Sequence, residues 1–193
     1  MKYYNLIEAF NNSTSDKNDK HRYAVVYDYI LNSHYLKKGS PLNILEIGIQ
    51  AGPSIDVWDK SPIINQVVGV DITTKEWFSK ACKDNNTPWK YSDRVTLYHN
   101  TDAYSEEFVK SLEGQKFDII MDDGPHTWES QLKFFNLYYD LLDGGGVLMC
   151  EDIQQTYLPQ LQQLGHQYED FYIFDLRAKR NIHGDEIIAI LKK

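Results

Sequence analysis

Five short apolar runs recur along the chain, each ending at or just before a glycine or an acid and each followed by helix-type spacing. That alternation narrows the fold more than any other feature of the sequence. The runs are LNILEIGI (42–49), QVVGVDI (66–72), RVTLYHN (94–100), KFDIIMDD (116–123) and GGGVLMCED (144–152). Trp128, Leu132, Phe135, Tyr139 and Leu142 follow the fourth run at spacings of four, three, four and three, which predicts an amphipathic helix. Pro53 suits a first helical position after the first run. Shorter helices are expected through Trp77 and Ala81 and near 105–113 and 155–163, and Tyr23, Val26, Tyr27, Ile30 and Leu31 predict another to about His34. DFYIFDLR (170–177) and EIIAILKK (186–193) read as a hairpin, with Asn181 and Gly184 as turn formers. NNSTSDKNDK (11–20) reads as a loop or a mobile segment. The expected fold is a doubly wound, mainly parallel α/β sheet of five strands extended by two antiparallel ones.

With 193 residues the chain suits one domain. A net charge of −8 argues against a duplex nucleic-acid partner, whose binding depends on Lys and Arg. Cys82 and Cys150 form no CxxC pair and read as reduced packing residues. No run reaches the roughly 18 apolar residues of a membrane span. The absence of a leader-type N-terminus makes the expected location cytoplasmic.

In doubly wound sheets, ligands bind beyond the carboxyl ends of the strands. Gly48 and Gly52 lie beyond the first, where they would let a ligand approach the backbone. A dinucleotide fingerprint would need glycine at position 50, where Gln50 stands, so pyrophosphate binding is disfavoured. Asp71, after the second strand, is placed to accept bonds from two ribose hydroxyls, and Asp102, after the third, could read an adenine amino group. Singly, such residues are ordinary caps and turns. In this order they describe a nucleoside pocket without a pyrophosphate.

LEIGIQAGPSIDVW, VVGVDI, DIIMDDGPHTWESQLKFF and LLDGGGVLMCEDIQQTY resemble the motifs of class I S-adenosylmethionine-dependent methyltransferases. More narrowly they are similar to metal-dependent sugar O-methyltransferases acting on macrolides and to cephalosporin hydroxylase-like relatives. SDKNDKHRYAVVYDYI resembles the segment preceding the first strand in that group. The resemblance implies the class I fold, a Rossmann-like seven-stranded sheet ending in an antiparallel hairpin. Residues 1–40 would cover the cofactor site and 41–193 would form the methyltransferase unit. It further implies that Glu46 and Gly48 meet the methionine part of S-adenosylmethionine, that Asp71 holds the ribose, and that Asp102 and Ala103 hold the adenine. Glu46 could equally support its loop.

Asp122 and Asp123 close the fourth strand, and Glu151 and Asp152 close the fifth. These strands are neighbours in this fold, about 4.8 Å apart. Acids so crowded either raise one another's pKa or require a cation between them. Oxygen ligands favour Mg²⁺, with Mn²⁺ or Ca²⁺ able to substitute. The resemblance carries metal ligation onto Asp123, Glu151 and Asp152, with Asp122 facing the cofactor or supporting the loop. Each acid could instead cap a helix. The resemblance also makes His126 the base that takes the proton of an acceptor hydroxyl, although Pro125 stands where serine is commoner. Lys17, His21 and Tyr23 could close over the methionine end. His34, His99, His166 and His183 read as surface or turn residues.

The reading that follows is a Mg²⁺-dependent O-methyltransferase for a hydroxylated small molecule, a sugar first, with a homo-oligomer conceivable where a second subunit completes an open site. Metal-independent methylation of another acceptor and non-catalytic binding of S-adenosylmethionine are the alternatives.

Overall fold

The computed structural model describes residues 2–18, 21–88, 90–177 and 184–193. Its seven strands are β1 (Leu42–Ile47), β2 (Ile64–Val70), β3 (Val95–Tyr98), β4 (Phe117–Asp122), β5 (Leu142–Cys150), β6 (Phe171–Asp175) and β7 (Ile187–Lys192). They lie in the order β3-β2-β1-β4-β5-β7-β6. The first five pair in parallel, and β7 runs antiparallel between β5 and β6. This is the class I methyltransferase arrangement. The order reverses between β1 and β4, which places the ligand crevice at their carboxyl ends.

The helices are α1 (Leu6–Asn11), α2 (Ala24–Lys38), α3 (Pro53–Lys60), α4 (Lys75–Asp84), α5 (Glu106–Ser111), α6 (Trp128–Tyr138) and α7 (Leu158–Gly165). Thr74, Ser105 and Thr127 cap α4, α5 and α6 by accepting a backbone N–H one turn on. Pro53 opens α3 and a left-handed Gly39 closes α2. Trp58 on α3 is fully buried, edge-on to Phe10 of α1 and Tyr27 of α2. The N-terminal segment is thereby part of the core on one sheet face.

Two expectations change and one helix is added. The predicted long helix stops at Tyr138, a 3-10 turn spans Tyr139–Leu141, and Leu142 begins β5. α1 had too few turns to show a period. It is fixed by burial of Leu6 and Phe10 and by the Asp28 carboxylate, which accepts Leu6 N–H at 2.9 Å. Within the polar stretch after it, Ser15 and Lys17 are buried rather than solvated. The hairpin holds in register from Phe171↔Leu191 to Asp175↔Ile187. Its turn former Asn181 and His183 lie outside the described residues. No helix among the described residues is long and apolar enough to cross a membrane.

Candidate active site

Two cavities meet at the carboxyl ends of β1 and β4, sharing Gly48, Gln50 and Asp123 in their walls. The larger, about 430 Å³, is lined by Asp71, Asp102, Ala103 and Pro125 among others. Asp71 accepts the N–H groups of Gln50 (2.9 Å) and Thr73 (2.8 Å), one on each oxygen. Carboxylate oxygens have further lone pairs, so the ribose assignment is compatible with these bonds. Asp102 accepts Tyr104 N–H at 2.9 Å, and the Ala103 carbonyl accepts the Tyr138 hydroxyl. Gly48 is a steric necessity, because at φ 81° a Cβ would overlap the Asp123 carbonyl oxygen.

Gly52, expected beside the cofactor, and Glu46 and Asp122, expected either at the cofactor or as supports of the loop, are not among the residues lining these two cavities. Glu46 is fully buried and accepts the Trp58 indole N–H at 2.7 Å, with Lys17 Nζ 3.6 Å from its other oxygen. Gly52 caps α3, and a Cβ there would strike the Tyr91 hydroxyl. Asp122 accepts the Tyr104 hydroxyl under the loop. A buried strand therefore carries Glu46 to anchor α3 and the N-terminal segment.

The smaller cavity, about 90 Å³, is lined by Lys17, His21, Tyr23, His126, Asp123, Glu151 and Asp152. Lys17 enters from a segment 106 residues from Asp123 and 134 from Glu151. Its ammonium donates to Asp123 at 2.7 Å and to both Glu151 oxygens at 2.8 and 3.0 Å. The cation between the acids is thus partly supplied by the protein, and a bound ion is not the only means of making them tolerable. Burial opposes the charge on Lys17, yet Asp123, Glu151 and Glu46 outweigh it and hold the ammonium well above its ordinary range. Compensation is incomplete. Burial pushes Glu151 up to about 7 against the pull of Lys17, and pushes Asp122 up to about 7 against the Tyr104 bond. Asp123 and Glu46 are raised for the same first reason.

Asp152 accepts the Tyr23 hydroxyl and lies 3.5 Å from ring nitrogens of both His21 and His126. His126 Nε2 is also 3.7 Å from Asp123 Oδ1. Asp123, His126 and Asp152 each offer a ligand atom within 4.8 Å of the others, so this face can receive a metal ion. Glu151 differs, since both of its oxygens already hold Lys17. Gln50, His126 and Asp152, all lining this cavity, have left-handed backbone at φ 44°, 55° and 50°. Such strain costs about 1–3 kcal/mol per residue and concentrates at functional sites.

Sequence reading did not foresee the Lys17 contacts or the Tyr104–Asp122 bond, and Tyr23 appeared only as a cover. Two histidines are corrected. His34 is 3.1 Å from buried Asp118, and His99 packs against Phe78 with a buried Nδ1.

The chain matches the family model described as a methyltransferase domain over residues 45–153. It is 26% identical over 156 residues to the 8-demethyl-8-alpha-L-rhamnosyl tetracenomycin-C 2'-O-methyltransferase of Streptomyces olivaceus, covering 77% of this chain and 37% of that enzyme. It is 33% identical over 109 residues to polyamine aminopropyltransferase 2 of Caldanaerobacter subterraneus, covering 53% of this chain and 35% of that protein. The chain thus spans well under half the length of these two relatives. Among solved structures, the MycE methyltransferase of mycinamycin biosynthesis, in complex with Mg, SAH and mycinamycin VI, superposes with a TM-score of 0.70 at 20% identity. That superposition covers 100% of this chain and 54% of MycE. The chain belongs to the methyltransferase domain family and has the class I S-adenosylmethionine-dependent methyltransferase fold.

Proposed function

We propose that this member of the methyltransferase domain family transfers a methyl group from S-adenosylmethionine to a hydroxyl of a small molecule, a sugar first, with a divalent cation, Mg²⁺ first, in the polar cavity. The observation that carries this reading is the junction of the two cavities. A cleft with strand-end Asp71 and Asp102 opens, at Gly48 and Gln50, onto an acid-rich pocket containing an imidazole. The Streptomyces relative's named activity, 2'-O-methylation of a rhamnosyl compound, and the Mg and SAH in the MycE complex support it.

Asp71 would hold the ribose hydroxyls, and Asp102 and Ala103 the adenine. When bound, S-adenosylmethionine supplies an electrophilic methyl on sulfonium, and a dication lowers the pKa of an alcohol that touches it. Asp123 and Asp152 would hold the cation. Glu151 would anchor Lys17, joining the ligands only if Lys17 withdraws. A nitrogen taken up as a ligand cannot accept a proton, so His126 Nε2 is assigned to the acceptor hydroxyl as general base.

The surplus of carboxylates would also suit a cationic amine, which makes an amine acceptor the second reading in view of the Caldanaerobacter relative. Transfer from labelled S-adenosylmethionine to panels of glycosides and of polyamines, with Mg²⁺ or with EDTA, separates the two. Glycoside methylation that EDTA abolishes is expected, and Asp152→Ala should remove the Mg²⁺ response while S-adenosylhomocysteine still binds. Transfer to amines alone, indifferent to EDTA, would refute the assignment.

A further inference from the structure

His21, just ahead of α2, and Asp185 and Glu186, just ahead of β7, form a second group of ligand-type side chains. Each offers a ligand atom within 4.8 Å of the others. Glu186 is 1% exposed, and neither of its carboxylate oxygens has a hydrogen-bond partner among the described residues, the Arg177 guanidinium acting on it only through space. Asp185 Oδ1 and His21 Nδ1 are likewise buried and without a hydrogen bond, His21 Nδ1 lying 3.5 Å from Asp152 Oδ1. Among the described residues these three supply four of the ten buried side-chain polar atoms left without a partner, so the deficit is concentrated here. A buried carboxylate with no donor is strongly unfavourable, and an imidazole and a second carboxylate converging on it point to a missing cation.

We propose that His21, Asp185 and Glu186 hold a divalent metal ion of their own. One imidazole nitrogen with two carboxylates suits Mn²⁺ or Zn²⁺ better than Mg²⁺, which prefers oxygen and keeps its waters. The ion's place in the fold gives it a task. The His21 ring stacks on Tyr23 at 5.2 Å, and the Tyr23 hydroxyl reaches the Asp185 carbonyl oxygen at 3.2 Å as well as Asp152. A cation there fastens the segment that carries Lys17 to the edge of β7, at the rim of the polar cavity. His21 Nδ1 is 3.5 Å from Asp152 Oδ1, so this ion would be a neighbour of the one proposed for methyl transfer. The assignment stands whether or not that first ion exists.

Mn²⁺ binding to the metal-free full chain, counted by electron paramagnetic resonance alongside thermal unfolding, tests it. Wild type should bind two ions, Asp123→Asn one, and Glu186→Gln one. If the methyl-transfer ion is absent, the counts become one, one and none. In EDTA, Glu186→Gln should unfold at the same temperature as wild type or higher, because a buried charge without a hydrogen-bond donor is gone, and Mn²⁺ should no longer raise that temperature through this site. His21→Ala, at a partly exposed side chain, should weaken the same ion at least tenfold. Mn²⁺ stoichiometry and affinity unchanged in Glu186→Gln would overturn the proposal. So would a lower unfolding temperature of that variant in EDTA, which would mark the carboxylate as already paired.

Discussion

The two ends of β4 carry buried aspartates under opposite conditions. Asp118, near its start, accepts Lys38 at 2.6 and 2.7 Å and the Asn43 N–H at 2.7 Å, with His34 Nε2 3.1 Å away. Burial alone would raise its pKa, but the bonds from His34, Lys38 and Asn43 outweigh burial and hold it below the usual carboxylate range. At the other end Asp122 is pushed up to about 7, Asp123 and Glu151 share the single Lys17 ammonium, and Asp152 faces only the Tyr23 hydroxyl and the rings of His21 and His126. An acid completed by donors belongs to the scaffold. A cluster left short of positive charge is poised to take a ligand, and this asymmetry is the ground for placing the proposed site at that end of the sheet.

The largest effect should come from removing a lysine at each end. Lys17→Met leaves buried acids uncompensated and should cost about 3–5 kcal/mol in denaturant unfolding, partly restored by Mg²⁺. Lys38→Met, at a half-exposed partner with His34 and Asn43 remaining, should cost about 1 kcal/mol. Equal losses would erase the contrast. Histidines sharpen it next. His126→Ala should lower turnover about 10²-fold or more with unfolding little changed, whereas His34→Ala should reduce stability by about 1 kcal/mol and spare turnover. The smallest effect is in pH dependence. The folded-state pKa of Asp118 is depressed, so its contribution is present above the unfolded value near 3.9 and is lost as pH falls through the folded value. Wild type should therefore lose stability below about pH 4 more steeply than Asp118→Asn, as read from unfolding temperatures across pH 2.5–6.

Much of the lining of the two cavities was legible because it is local in sequence. The glycine at 48, the acids at 71, 102, 123 and 152, and His126 all follow strands whose apolar runs and order are visible in the chain. What was hidden depends on contacts between distant segments. Lys17 sits in a polar stretch that resembles any solvated turn, and only the packing of α1 and α2 against Trp58 delivers it to acids more than 100 residues away. The two readings of Glu46, cofactor contact or support of its loop, stayed open for the same reason, since its partner Trp58 lies on the next helix and the bond between them leaves no spacing signature. The left-handed backbones of His126 and Asp152 fall on residue types that adopt this conformation more readily than most, but that preference is too weak to locate them from the sequence.

The central claim is that the carboxyl end of β4 accepts a dication beside Lys17. Anomalous diffraction from crystals grown with Mn²⁺ and S-adenosylhomocysteine tests it most directly. A peak within ligand distance of both Asp123 and Asp152 is the expected result. No peak at those two carboxylates, with S-adenosylhomocysteine bound and Lys17 still bridging Asp123 and Glu151, would contradict it.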